Sequence, residues 1–198
     1  MTDTADFTSC VSRTIQASIA VKAVLLKDTE LISTISKVSA LLIDAFHKKN
    51  KLILFGNGGS AADAQHIAAE FVGRFAFNRA ALPALALNVN TSCVTAIGND
   101  YGFDQVFSRQ IEALGREGDV AIGISTSGNS ANVLQAVSVA KQMGLHTVGF
   151  NGAGGGKLKA AVDHCICVPS NETPRIQECH ILIGHIISEL VERAIFHE

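Results

Sequence analysis

The sequence carries little net charge and few charged residues of either sign. Its 198 residues include 16 Lys and Arg against 18 Asp and Glu, and charged residues make up only 17%. Nucleic-acid-binding domains usually carry a basic patch, and disordered chains are rich in charge and poor in apolar residues. Neither description fits, and 47% of the residues are apolar. The composition therefore indicates a globular protein without a nucleic-acid partner.

Long apolar segments and a basic leader are also missing. The start of the chain, Met1–Cys10, contains acidic residues instead of the basic patch and apolar run of a secretory signal. The longest apolar runs, such as Leu52–Phe55, are far shorter than the roughly 20 residues that a membrane-crossing helix needs. We therefore expect a cytoplasmic protein that does not enter a membrane.

Cysteine pairs of the zinc-binding C-x-x-C type are absent as well. The five cysteines are an odd number, in a chain large enough to be stable without disulfide bonds, so we expect reduced and mostly buried thiols. Cys165 and Cys167 alternate along an apolar predicted strand, where packing is a better explanation than reactivity or metal binding. The others are Cys10, Cys93 and Cys179.

The N-terminal part of the chain has apolar side chains at helical spacing. This pattern predicts two helices that form a hairpin before the first strand, with an apolar stripe that must be covered. A partner chain can cover the stripe in an intersubunit bundle, or the stripe can pack against the chain's own sheet. We favour homo-oligomerisation. The stripe consists of Phe7, Val11, Ile15, Ile19, Leu31, Ile35, Val38, Leu42 and Phe46.

Short β-rich runs alternate with helix-compatible stretches in the rest of the chain. Such alternation predicts parallel strands joined by right-handed helical crossovers. The expected fold is α/β, a doubly wound five-stranded parallel sheet of flavodoxin-like order 2-1-3-4-5. We assign residues 1–198 to one domain, with the hairpin in 1–50 and the α/β core and C-terminal helix in 51–198. Strands are predicted at Lys51–Phe55, Leu82–Asn88, Asp119–Ile124, Leu145–Phe150 and His164–Val168, and a final helix at Pro174–Ile195.

Two of the predicted strands end in loops suited to a phosphate group. Gly56–Ser60 follows the first strand and residues 125–130 follow the third, so both loops open where the sheet order reverses. Glycines let the backbone approach an anion, hydroxyls donate hydrogen bonds, and helix N-termini add free N–H groups. Any one such residue is more often a helix cap or a turn former. We nevertheless predict anion binding, because the second loop concentrates the hydroxyls of Ser125, Thr126, Ser127 and Ser130.

Two nucleotide-binding motifs are matched only in part. The dinucleotide fingerprint G-x-G-x-x-G/A fits after the first strand, but the second strand ends in Asn88 instead of an acidic ribose ligand. Residues 151–158 imitate a Walker A loop, yet Asn151 replaces its first glycine and Leu158 its Ser or Thr. Binding of NAD is therefore a weak alternative, and we interpret the second segment as a turn.

Polar residues on two predicted helices form a candidate acid/base and metal site. His66 and Glu70 share a helix face, and their apolar neighbours predict a largely buried helix in which this pair is more than a surface contact. The last helix offers Gln177, and its spacing leaves His180 and His185 as equal candidates. Such nitrogen and oxygen donors suit zinc or a similar divalent ion. A carboxylate and a histidine also supply the base and acid that isomerise a phosphorylated sugar through an enediolate.

With these residues in view, the sequence closely resembles the phosphoheptose isomerases of the sugar-isomerase-domain superfamily over nearly its whole length. The resemblance implies conversion of D-sedoheptulose 7-phosphate, a phosphorylated seven-carbon sugar, to D-glycero-D-manno-heptose 7-phosphate. That reaction leads toward the activated heptose of bacterial surface glycans such as lipopolysaccharide. The matching segments are Gly56–Ser60, Asp63–Arg74, Ile97–Asp100, Gly115–Asp119, Gly123–Asn132 and Arg175–Glu178, followed by His185.

The resemblance also assigns roles to residues. It implies that Glu70 is the base and His185 the acid, which resolves the choice between His180 and His185. Zinc would be held by His66, Glu70, Gln177 and His185. The assembly would be a cytoplasmic homotetramer with active sites at subunit boundaries. The implied substrate contacts are Asn57, Gly58, Gly59, Glu70, Asn99, Asp100, Ser125, Thr126, Ser127, Ser130 and Gln177.

Relatives without enzymatic activity are the main alternative. They resemble the chain over most of its length and regulate replication by binding the initiator protein DnaA. The acid/base set is what separates the two groups, and its presence here favours the enzyme. A sugar-phosphate-sensing domain of a transcription factor is disfavoured by the lack of a basic patch. Pro174 stands where some relatives have an acidic residue, so no role is carried over to it.

Overall fold

The computed structural model describes residues 4–196 as helices alternating with the strands of one sheet. Two helices come first, and from the first strand onward strands alternate with helical segments. In chain order the elements are α1 (Thr4–Leu25), α2 (Thr29–His47), β1 (Leu52–Gly56), α3 (Gly59–Val72), β2 (Ala84–Ala86), α4 (Thr91–Tyr101), a 3₁₀ turn (Phe103–Gln105), α5 (Ser108–Leu114), β3 (Val120–Ile124), α6 (Ala131–Gln142), β4 (His146–Asn151), α7 (Gly156–Ala161), β5 (His164–Cys167) and α8 (Thr173–Phe196).

The strands form a parallel sheet of order β2-β1-β3-β4-β5, which confirms the predicted topology. Ile122 of β3 lies opposite Leu54 of β1 on one side and Val148 of β4 on the other. Strand β2 is shorter than predicted because Pro83, which has no N–H group, precedes it at the sheet edge. The order reversal between β1 and β3 leaves their carboxyl ends, and the two glycine- and hydroxyl-containing loops, on the same edge of the sheet.

Both faces of the sheet are covered by helices. Alternate residues of the strands point into two separate apolar clusters, one of which includes Leu54 and Ile122 and the other Ile53 and Ala121. Helices α2, α3 and α8 contribute to the first cluster, and α5 and α6 to the second. Helices α3 and α8 pack side by side in the first layer, with Gly59 beside Gln177 near their N-termini and Ile67 beside Gly184 further along.

The predicted hairpin divides into a covered helix and an uncovered one. The apolar stripe of α2 is buried against the sheet and α8, as for Val38 and Leu42, which are completely inaccessible. The corresponding stripe on α1 stays exposed, with Ile15 at 56% and Ile19 at 60%. Within residues 4–196 no single helix has the length and hydropathy to cross a bilayer; α1 and α2 pass that test only as a pair, bent by 79° between them.

The prediction of mostly buried thiols is wrong. Only Cys179 is buried, whereas Cys10 is exposed and Cys93, Cys165 and Cys167 are partly exposed. Cys165 and Cys167 differ from the expectation because β5 is an edge strand. Their side chains face an opening beside the sheet instead of the apolar interior, to which Ile166 between them contributes.

Candidate active site

Residues 125–130 after β3, which we call the hydroxyl loop, form one wall of a cavity at the carboxyl edge of the sheet. Ser125 is buried, and its Oγ lies 3.0 Å from Ser130 Oγ and 3.5 Å from Ser127 Oγ. Ser130 begins α6, but its side chain makes no capping hydrogen bond to the helix. The Ser127 hydroxyl also accepts from the backbone N–H of Asn129 at 3.2 Å. The hydroxyls of Ser125 and Ser130 contact each other, and Ser130 is free of a capping bond, so it can turn toward an anion.

A second loop, within residues 151–158, completes this cavity. This segment was predicted from the sequence only as a turn. Thr126 and Ser127 line a space of about 220 Å³ together with residues 152–154, Asn171 and Thr173. The backbone N–H of Gly152 donates to Thr126 O at 3.0 Å, so the two loops are held together directly. The motif of 151–158 could have suggested this position, because it follows β4 as the hydroxyl loop follows β3.

The glycine loop after β1, Gly56–Ser60, borders the site and is held in place by contacts with other parts of the chain. Asn57 forms a double amide pair with Asn132 at the start of α6, with N–O distances of 2.8 and 3.0 Å. Gly58 has φ = 57°, a left-handed conformation that favours glycine. A side chain at Gly59 would collide with the amide of Gln177, which brings α8 to the N-terminus of α3. The Asn57–Asn132 pair was not foreseen from the sequence.

Three polar side chains from α3 and α8 converge further along these helices. His66 Nε2 lies 3.1 Å from Glu70 Oε1 and 2.9 Å from His185 Nε2. Each of the three residues offers one ligand atom within 4.8 Å of the other two. The ring of Phe75 packs 5.7 Å from the His185 ring, so an apolar surface backs one side of the group.

The other histidine of α8 has a different environment. His180 is completely buried beside Phe150, and its Nε2 lies 3.2 Å from the carbonyl oxygen of Asn151. Burial lowers its pKa to about 4, against a smaller raising effect of that hydrogen bond. His180 is therefore a neutral core residue near pH 7, and it lies apart from the group formed by His185.

The prediction that α3 is largely buried holds for only one side of the helix. Ile67 and Phe71 pack into the core, but Ala69 is exposed and the His66 side chain is 51% accessible. The helix packs with a single apolar stripe, and its polar pair lies outside that stripe. Glu70 is more sheltered, with 22% of its side chain accessible.

Asp63 is an additional carboxylate on the same helix, one turn before His66. Burial raises its pKa to about 6, while the nearby imidazole of His66 acts in the opposite direction. One of its carboxylate oxygens is buried and has no hydrogen-bond partner in the part of the chain that the structure describes. Asp63 is not among the site residues predicted from the sequence.

Asn99 and Asp100 lie apart from the other predicted substrate contacts. They belong to α4, where the Asn99 side-chain amide donates to Asp100 Oδ1 at 2.8 Å. Asp100 lines a different and mainly apolar cavity, which α4 and α5 form beside β2. Within one chain the structure therefore separates this pair from Thr126 and Ser127.

A buried ion pair supports the end of α3 that carries the site. Arg79 and Glu192 have side chains that are each 1% accessible, and Arg79 Nε lies 2.9 Å from Glu192 Oε1. The Glu192 carboxylate also accepts from the N–H groups of Phe75 and Ala76, at 2.8 and 2.7 Å. Arg79 donates to the Glu70 carbonyl oxygen at 2.7 Å. The pair thus fixes the segment that follows Glu70.

The three converging side chains fit a divalent metal of the zinc type. Two imidazole nitrogens and one carboxylate oxygen are the donors such ions prefer, and three protein ligands leave a position open for a substrate. The two imidazole nitrogens lie 2.9 Å apart, at hydrogen-bond distance. Gln177, the fourth ligand implied by the resemblance, lies beside Gly59 at the N-terminus of α3.

Comparison with known proteins shows the family of the chain. Residues 19–152 match the SIS domain family. The phosphoheptose isomerase of Aneurinibacillus thermoaerophilus is 58% identical over 92% of each chain, and that of Clostridium acetobutylicum is 53% identical over 93% of this chain and 94% of its own.

Solved structures extend the agreement to three dimensions. The phosphoheptose isomerase GmhA of Neisseria gonorrhoeae superposes with a TM-score of 0.89 at 43% identity, covering 94% of this chain and 98% of its own. A phosphoheptose isomerase of Francisella tularensis gives 0.86 at 33% identity, covering 98% and 100%. The chain therefore belongs to the SIS domain family and, within it, to the phosphoheptose isomerases.

Proposed function

We propose that this aldose–ketose isomerase converts D-sedoheptulose 7-phosphate to D-glycero-D-manno-heptose 7-phosphate. The observation that carries the proposal is the convergence of His66, Glu70 and His185 from α3 and α8. We assign proton transfer to these side chains and the anionic end of a sugar phosphate to the separate hydroxyl loop after β3. Relatives named phosphoheptose isomerase support the choice of a seven-carbon sugar.

The phosphate group is assigned to the hydroxyl loop. Ser125, Thr126, Ser127 and Ser130 would donate hydrogen bonds to its oxygens, and the N-terminus of α6 adds the positive end of a helix dipole. The cavity that contains Thr126 and Ser127 is open to solvent along residues 152–154. Binding here needs no lysine, since hydroxyl and backbone donors together satisfy the anion.

Glu70 and His185 are assigned to proton transfer. Glu70 would remove a proton from the carbon beside the carbonyl and, after exchange with solvent, deliver a proton to the former carbonyl carbon, while His185 would donate a proton to the carbonyl oxygen and accept one from the hydroxyl that becomes the aldehyde oxygen. Glu70 contacts His66 through Oε1, so we assign its other oxygen to the substrate proton. Zinc, held by His66, Glu70, His185 and Gln177, would act as a Lewis acid that stabilises the enediolate charge.

The remaining predicted contacts are assigned to the sugar. Asn57, Gly58 and Gly59 border the site through the first loop, and Gln177 lies beside them. Asp100 lines another cavity of the same chain, so we assign the contacts of Asn99 and Asp100 to the active site of a neighbouring chain. The isomerase would then be complete only as an oligomer.

A substrate assay tests the proposed reaction. We expect the protein to convert D-sedoheptulose 7-phosphate in D₂O to an aldose that carries deuterium on the carbon next to the aldehyde, as followed by NMR. A chelator should abolish turnover, and zinc should restore it, because the enediolate then regains its Lewis acid. Absence of turnover under every metal condition would contradict the proposal and favour the non-enzymatic regulators.

We further propose that the protein is a cytoplasmic homotetramer, and the exposed stripe on α1 supports the self-association. Phe7, Val11, Ile15 and Ile19 are each more than half accessible, and contiguous apolar surface of this kind marks a protein–protein interface. A self-complementary helix face is a common basis for symmetric assembly. We therefore propose that copies of α1 pack together and cover the stripe.

Replacing Ile15 with glutamate should break this assembly into smaller species. The charge would lie in the centre of the stripe, where burial without a partner is unfavourable. Light scattering after size exclusion would measure the mass, with the exposed polar position Gln16→Glu on the same helix as the matched control. A tetrameric Ile15→Glu variant would show that α1 is not the assembly element.

A further inference from the structure

Two thiols that the proposed reaction does not use face each other on the edge strand β5. Cys165 Sγ and Cys167 Sγ lie 3.4 Å apart, because alternate residues of a strand point to the same side. Both are partly exposed, and both line an opening of about 170 Å³ between β5 and the start of α2. Small oxidants therefore have a path to this dithiol.

The surroundings of these two cysteines favour the thiolate form of Cys167. The Cys165 thiol donates to Cys167, and this hydrogen bond lowers the pKa of Cys167 to about 7, with a smaller contribution from Lys159 and an opposing one from burial. The same hydrogen bond and burial raise the pKa of Cys165. A thiolate next to a protonated thiol is the arrangement found in pairs that react and then resolve.

We propose that Cys165 and Cys167 form an oxidation-sensitive dithiol that closes to an intramolecular disulfide with peroxides. The Cys167 thiolate attacks the peroxide O–O bond, which breaks to give a sulfenic acid and, after protonation, an alcohol or water. Cys165 then loses its thiol proton and attacks the Cys167 sulfur, and the sulfenic hydroxyl leaves with that proton as water. The two thiols are oxidised by two electrons and the peroxide is reduced by two.

The disulfide is expected to be a labile one. Residues two apart on a strand have Cα atoms about 6.6 Å apart, at the upper end of the range that disulfides span. The sulfurs must also approach by about 1.4 Å from their present 3.4 Å separation. A bond formed against such geometry has a high reduction potential and is readily reduced by thiols. The modification is thus reversible.

The dithiol is connected to the hydroxyl loop through the loop between β4 and α7. Asn151 Nδ2 donates both to Cys165 Sγ at 3.0 Å and to the Gly155 carbonyl oxygen at 2.9 Å. The Cα of Gly155 lies so close to Cys167 that an added Cβ would be 3.2 Å from its sulfur. If either sulfur atom moves, the position of Gly155 should therefore shift.

Gly155 and its neighbours in turn contact the hydroxyl loop. Gly128 has φ = 64° and no room for a side chain against the Gly155 carbonyl group. The N–H of Leu158 donates to Gly128 O at 2.9 Å, and that of Lys157 to Asn129 Oδ1 at 3.1 Å. Closing the disulfide should therefore weaken phosphate binding, an effect that rests on the proposed function of the hydroxyl loop.

Mass spectrometry tests the disulfide without reference to activity. The tryptic peptide of residues 160–175 contains Cys165 and Cys167 and no other cysteine. After treatment of the full-length protein with hydrogen peroxide, we expect this peptide to lose about 2 Da and to resist alkylation, and dithiothreitol should restore two alkylation sites. Exposed Cys10 is the internal comparison. A peptide that stays doubly alkylated while Cys10 is oxidised would overturn the proposal.

Calorimetry with inorganic phosphate tests the connection to the hydroxyl loop. Oxidation should raise the Kd of wild type at least about fivefold, the lower end of typical coupling between sites, and should leave Cys167→Ser and Cys165→Ser unchanged. Cys10→Ser should respond as wild type does. An unchanged Kd despite a formed disulfide would refute the coupling. Failure of the reduced protein to bind phosphate would instead refute the proposed anion site, while the peptide mass still decides the dithiol.

Discussion

Replacing Glu70 with glutamine is expected to lower kcat on D-sedoheptulose 7-phosphate by at least about 10²-fold, the usual contribution of a positioned general base. The amide preserves the shape of the side chain but cannot accept the substrate proton. Because the substrate phosphate is assigned to the hydroxyl loop and not to α3, the variant should still bind the substrate. Turnover by NMR and binding by calorimetry would measure the two quantities separately.

Glu70 is also a proposed metal ligand, so the zinc content of the Glu70→Gln variant must be measured alongside its activity. A matched control is Asp44→Asn, which removes an exposed helix carboxylate paired four residues away with Lys48. That variant should retain wild-type turnover. If Glu70→Gln with bound zinc turned over at a near-wild-type rate, Glu70 would not be the base.

Replacing Glu192 with glutamine is expected to lower the free energy of unfolding by about 3–5 kcal/mol, the cost of leaving a buried partner charge uncompensated. The Glu192 carboxylate is 1% accessible and accepts from Arg79 and from the N–H groups of Phe75 and Ala76. Without the negative charge of Glu192, the Arg79 guanidinium would remain buried with its positive charge uncompensated. Urea denaturation of the variant and of wild type would measure the difference.

The effect of Glu192 should depend on pH in a defined direction. Burial alone would raise its pKa, but the hydrogen bonds from Ala76, Phe75 and Arg79 together lower it below the ordinary value of 4.5. The stabilisation is therefore complete above about pH 4.5 and fades as the pH falls through the lowered pKa of the folded state. The difference between wild type and Glu192→Gln should shrink accordingly in acid.

Glu189 offers a control on the same helix. It forms an ion pair with Arg193 at 2.9 Å, but both side chains are exposed, at 43% and 58%. Solvent-exposed pairs contribute at most about 1 kcal/mol, so Glu189→Gln should unfold much as wild type does. Equal stabilities of Glu192→Gln and Glu189→Gln would show that the buried pair does not anchor the end of α3.

Much of the fold could be predicted from the sequence because its signals are local. Strands β1, β3 and β4 are short apolar runs between helical stretches, and that alternation fixes a parallel sheet of known handedness. Most boundaries shifted by only one residue. The exception was β2, where an apolar run continued through Pro83 although proline cannot donate to a neighbouring strand.

The site was predictable in composition but not in contacts. His180 and His185 are five residues apart, about 140° around the helix, and both have aliphatic neighbours. Only the packing of α8 decides that His180 enters the core while His185 meets His66, 119 residues away in the chain. The same holds for Asn57 and Asn132, whose pairing joins two helix starts.

The sequence by itself determined the order of elements, the hydroxyl loop and the candidate acid/base residues, since each depends on spacing within a few turns or strands. The tertiary structure alone decided which helix faces are covered, that α1 remains exposed, and that Cys165 and Cys167 open to solvent beside Lys159. Burial of a side chain depends on what another part of the chain places against it. That neighbour is set by packing across the sheet, which local periodicity does not encode.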